Sequence, residues 1–153
     1  MNELETRLLD YLLSGESTVL ETLRQQLEQV IDVDRVWTPL GLEITFDLSE
    51  EATLLEDLQK FQLSDVYALF EGISPDPGLV LWIDGGKISR LLCYSFDPAF
   101  DKTSKLVDVY YVEVSDSQSD FDVRVVDARN EERALWSYFL HCKNVYKRTE
   151  MSR

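Results

Sequence analysis

Histidine is almost missing: His141 is the one imidazole in 153 residues. A two-histidine metal site is therefore excluded within one chain. A cysteine nucleophile would need His141 brought to Cys93 across the fold. The adjacent Cys142 does not serve, because neighbouring helical residues point about 100° apart. Cysteine is scarce as well. Cys93 and Cys142 read as reduced thiols of a cytoplasmic protein, with nothing to support a bridge between them. Long apolar runs are missing too; none approaches the ~18–20 residues that span a bilayer. The opening Met1-Asn2-Glu3-Leu4-Glu5 is acidic, unlike the basic start of a signal peptide. The expectation is a soluble chain away from the membrane.

Positive charge is in shortest supply. Fifteen Lys/Arg face 29 Asp/Glu, for a net charge of -14 and a pI near 4.3. The deficit is uneven: from Asp127 onward six Lys/Arg meet four Asp/Glu, leaving +2 there and -16 before it. Such a field repels phosphate and anionic lipid and attracts cationic surfaces. The aromatic residues lack interleaved Lys/Arg, so they make no stacking platform for nucleic acid. Hydrophobic residues are nonetheless 44% of the chain, enough to exclude disorder.

The length suits a single domain over 1–153. Leu4, Leu8, Tyr11 and Leu12 lie on one helical face behind Asn2 as cap, and Ser14-Gly15 ends that helix. Ser17 or Thr18 caps a second helix, Thr18 with Glu21 at capping-box spacing. Its buried stripe is Leu20, Leu23, Leu27 and Val30 or Ile31. Residues 1–31 thus predict a helical hairpin. The period then falls to two. Leu42, Ile44, Phe46 and Leu48 alternate with Glu43, Thr45 and Asp47, a half-buried strand with an acidic outer face. Residues 32–38 offer it a partner, turned by Pro39-Leu40-Gly41, and 49–62 read as a short helix or ordered loop.

Strands are expected over 65–71, 79–83, 88–94, 106–114 and 121–126. Asp84-Gly85-Gly86-Lys87 is a tight hairpin turn. It lacks phosphate-loop spacing and precedes a strand. Asn130 caps a last helix carrying Leu135, Tyr138, Phe139 and Cys142 on one face. Residues 32–126 form the sheet and 127–153 the C-terminal helix and tail. Strand connections this short require a mainly antiparallel sheet of five to seven strands. The fold class is α+β, in two layers, with helices on one sheet face.

The carboxylates Glu43, Asp47, Glu50, Glu51, Glu56, Asp57 and Asp65 crowd one stretch, offset only by Lys60. Neither they nor Asp116–Asp122 have calcium-loop spacing. They read as solvated surface, as a docking rim for a basic partner, or as a metal or acid–base site. No cofactor is called for.

Several positions carry a resemblance. They are Leu8-Leu9, Leu13-Ser14-Gly15-Glu16, Val19-Leu20, Leu23-Arg24-Gln25-Gln26-Leu27, Gly41, Phe46, Asp65-Val66-Tyr67-Ala68, Gly78, Leu81, Gly86, Leu91 and Tyr94. Over roughly residues 6–112 the chain resembles a group of small bacterial proteins with no established function. Residues after about 115 look like an addition to that pattern, and Cys93 stands where an acidic residue is expected. The resemblance implies one compact α+β unit and no activity. In style the chain is also similar to immunity proteins, which neutralise a cognate toxin, often a cationic nuclease.

Three functions follow as expectations. One is a non-enzymatic module that binds a basic protein, with Glu43, Asp47, Glu50 and Glu51 at the rim. Another is a ligand-binding protein or enzyme with a pocket between hairpin and sheet, using Arg24, Tyr67, Arg90, Tyr94 and Asp65. The last is a homo-oligomeric subunit joined through Trp136, Tyr138, Phe139 and Tyr146 of the C-terminal helix.

Overall fold

The computed structural model describes residues 1–56, 60–114 and 123–135. Its elements run α1 (Glu3–Leu12), α2 (Thr18–Leu27), β1 (Val30–Thr38), β2 (Gly41–Leu48), β3 (Lys60–Phe70), β4 (Gly78–Asp84), β5 (Lys87–Tyr94), β6 (Leu106–Val114), β7 (Val123–Val126) and α3 (Glu131–Ala134). All seven strands join one antiparallel sheet in the order β1-β2-β5-β4-β3-β6-β7. The fold is α+β in two layers.

Helices of ten residues are too short to persist alone in water, so packing must hold α1 and α2. Asn2 caps α1 by accepting from the Glu5 amide. Ser17, not Thr18, caps α2, accepting from the Val19 amide. Gly15, at φ +142°, turns the chain between them. Leu8, Leu9, Leu12, Leu13, Leu20 and Leu23 are fully buried, each contributing about 1.5–3 kcal/mol against exposure. They meet two cross-strand rows of the sheet. One reads Trp37, Leu42, Cys93, Leu79, Val66, Tyr111; the other Arg35, Ile44, Leu91, Leu81, Leu63. The alternation in β2 is thus the period-two pattern of a strand with one covered face.

Residues 49–56 take the loop form of the two expected there. Two sequence expectations need correction. The second helix ends at Leu27, so the hairpin does not run to residue 31: Val30 and Ile31 open β1 instead of closing the helix's buried stripe, and Ile31 is 71% exposed. The strand expected at 65 already starts at Lys60. A bulge between Leu63 and Val66 breaks the alternation there, which hides the strand's first half from a period-two reading. The Asp84–Lys87 hairpin matches expectation, with Gly85 at φ +61° and Gly86 at φ +76°. Of the C-terminal helix, Asn130 caps α3 by accepting from Arg133. Cys142 and the proposed oligomer contacts Trp136, Tyr138, Phe139 and Tyr146 lie outside the described residues.

Candidate partner-binding face

The helices pack on one side of the sheet, against β3, β5 and β6. Strand alternation sends the remaining side chains to the other side, where no described helix lies. Three cross-strand rows define this open face. The first reads Tyr94, Gly78, Tyr67, Tyr110 across β5, β4, β3 and β6. The second reads Val36, Glu43, Leu92, Val80 across β1, β2, β5 and β4. The third reads Asp34, Thr45, Arg90, Trp82, Gln62 across β1, β2, β5, β4 and β3.

The first row is an aromatic ledge. Gly78 makes room there for the Tyr94 ring, which occupies the space a Cβ would fill. The Tyr67 and Tyr94 hydroxyls stand 3.5 Å apart, and Tyr110 donates to Asp76 at 2.6 Å. Burial pushes Tyr94 up to about 12, reinforced by the Tyr67 hydroxyl. Burial, then the Asp76 carboxylate, raises Tyr110 as well. Tyr94 and Tyr110 are therefore neutral near pH 7. Phe96 extends the ledge edge-on to Tyr94 with ring centroids 5.9 Å apart, and it is 76% exposed. An aromatic ring so open is the informative kind of exception on a protein surface.

In the third row the Arg90 guanidinium stacks on Trp82, 4.2 Å from the ring centroid. It also reaches Glu43 at 3.2 Å. Both charged groups are well exposed, so the pair contributes little to stability. Beside them a cleft of about 600 Å³ is lined by Thr45, Lys60, Gln62, Trp82, Asp84 and Arg90, among others. This cleft opens on the bare sheet face, not between hairpin and sheet.

The sequence-predicted residues scatter over this frame. Glu43 sits mid-face, tied to Arg90; Asp47 lies toward the far end of β2, and Glu50 and Glu51 follow in the 49–56 loop. Tyr67 and Tyr94 meet on the ledge, and Arg90 lies two rows away. Arg24 does not join them. It donates from α2 to the carbonyls of Leu13 and Gly15 at the end of the hairpin turn. Asp65 is spent on a buried fork to Arg129. These residues therefore do not converge on one pocket.

Sequence reading missed Asp32 and Asp34, which join Asp47 at one margin of the open face. Asp32 lies directly opposite Asp47, and Asp34 opposite Thr45. The signal was present: counting outward from the two-residue Pro39-Leu40 turn sets 32 against 47. None of the salt bridges among the described residues involves Asp32, Asp34 or Asp47.

Reactive groups are sparse. Cys93 is buried and unbridged, and burial pushes its thiol up to about 12, which leaves it un-ionised and inert. Among the described residues no group of three His, Cys, Asp or Glu side chains is placed to hold a metal ion. No described helix is long and apolar enough to cross a membrane. No family model, no curated protein and no solved structure matches the chain.

Proposed function

We propose that this chain is a non-enzymatic binding module that docks a cationic protein on the open face of its sheet. One observation carries the reading: that face presents an aromatic and aliphatic band beside carboxylates that no described cation neutralises. Apolar anchors inside a charged rim are the anatomy of a protein interface. The net charge of -14 selects a partner of opposite sign and opposes a second copy of the same chain. An immunity-type role, neutralising a cationic toxin, is the finer form of this reading and rests on charge and style alone.

The test is affinity capture from source cells followed by kinetics with the purified partner. The partner is expected to be basic, and association should slow at least tenfold as salt rises to about 0.5 M, where the Debye length falls to a few ångströms. Converting Asp32, Asp34 and Asp47 to Asn should slow it further. An association rate indifferent to salt and to those substitutions would overturn the proposal.

A further inference from the structure

We propose that β1 is a docking edge, to which an extended basic segment of the partner adds as an eighth, antiparallel strand. The inference rests on the cationic-partner reading above and adds the mode of binding. β1 spans nine residues and closes one side of the sheet, pairing with β2 alone among the described residues. Its alternate N–H and C=O groups therefore point away from β2, a ready template for another strand. The opposite edge, β7, has only four residues among those described. No proline interrupts β1, and its side chains are open: Ile31 is 71% exposed, Val36 48% and Trp37 37%.

Charge chooses the occupant. On the open face β1 carries Asp32 and Asp34, with Asp47 directly behind Asp32. On the helix side it carries Val33 and Trp37, the latter packed on Phe100 with ring centroids 5.4 Å apart. Arg35 lies between them, but its guanidinium is held by the buried Glu5 carboxylate of α1. An incoming strand thus meets acid on one face and apolar surface on the other. The strand that fits alternates Lys or Arg with aliphatic or aromatic residues.

A second copy of this chain does not fit. The register that aligns all nine β1 residues sets Asp34 against Asp34 of the copy. Moving one pair either way sets Arg35 against Arg35, or Asp32 against Asp34. Like charges directly opposite each other are destabilising, and each chain also brings -14. The same carboxylates that deter self-pairing complement a basic strand.

The experiment uses the full chain, immobilised, to select from a display library of random peptides, followed by synthesis of the enriched sequences. They are expected to alternate basic and apolar residues and to slow amide exchange in β1 at least tenfold. N-methylation of alternate peptide amides should weaken binding tenfold or more, and so should the Asp32→Lys/Asp34→Lys chain. If that double variant does not fold, the N-methylated peptides decide the matter with the unaltered chain. Basic peptides that bind equally well with and without N-methyl groups would overturn strand addition while leaving the cationic-partner reading standing. Selection of non-basic peptides, or of none, would overturn both.

Discussion

Arg129 closes a bidentate fork on Asp65, with Nη2 to Oδ1 at 2.7 Å and Nε to Oδ2 at 2.9 Å. Its Nη1 donates to the carbonyls of Leu12 at 2.6 Å and Ser14 at 2.8 Å. The last carbonyls of a helix have no partner inside it. One guanidinium, with Arg24 beside it, therefore satisfies the end of α1 and ties it to β3. Glu131 adds a second tie, accepting from the Ser17 amide at 2.9 Å.

Arg129 and Asp65 are 5% and 15% exposed, so removing one partner strands a charge in poor solvent. Arg129→Met is expected to cost about 3 kcal/mol, near the lower end for a broken buried pair. Asp65→Asn should cost less, because the amide oxygen still accepts from the guanidinium. The double variant should lose less than the sum of the two single losses. Urea unfolding followed by tryptophan fluorescence measures all three.

Gln26 is fully buried on α2 and every polar atom of its amide is used. Nε2 donates to the carbonyls of Thr53 and Gly86, both at 2.9 Å, and Oε1 accepts from the Ile88 amide at 2.9 Å. It locks the 49–56 loop and the β4–β5 hairpin beneath the helix. Gln26→Leu leaves the buried Ile88 amide unpaired, while the Gly86 carbonyl keeps its bond from the Leu55 amide and the Thr53 carbonyl lies nearer the surface, so it should cost about 1–3 kcal/mol. Gln26→Glu should cost more, since a carboxylate would face two carbonyls in a dry site. Thermal melts of the two variants check this order.

The two hairpin glycines are not equivalent. A Cβ on Gly85 meets nothing within 4 Å, whereas one on Gly86 falls 2.5 Å from the carbonyl oxygen of Leu55. Gly85→Ala should therefore cost only the left-handed backbone penalty of about 1–2 kcal/mol. Gly86→Ala adds a clash with the main chain of Leu55, whose amide donates to the Gly86 carbonyl, and should cost at least twice as much. Gly85→Asn should be close to neutral, because Asn tolerates that backbone region. Unfolding free energies of the three variants test the ranking.

Alkaline pH should unfold the chain in a defined window. Burial raises Cys93 and Tyr94 to about 12 in the folded state. In the unfolded chain they ionise near about 8.5 and about 10. Above about pH 9 the unfolded state thus binds fewer protons than the folded one, and stability falls with rising pH. The contribution is intact below that pH and lost as pH approaches 12. In a Cys142→Ser background, Cys93 should resist a thiol reagent at pH 8 and react in urea. Rapid labelling of the folded chain would refute the burial argument.

Much of the architecture is legible residue by residue. Leu4, Leu8 and Leu12 recur at helical spacing behind an Asn cap, and Leu42, Ile44 and Phe46 alternate behind a two-residue turn. Local periodicity encodes which side of an element meets apolar neighbours, and adjacent glycines encode a positive-φ turn. These determine the hairpin, the antiparallel strands and the class of fold. The pairing of β3 with β6 and β2 with β5, the fate of Asp65 in an ion pair, the burial of Gln26 and the bare edge at β1 were decided only in three dimensions. Each depends on contacts between residues tens of positions apart, which no local pattern records. Whether a carboxylate is spent on an arginine or left facing solvent is a property of the assembled sheet, because only there does its partner arrive.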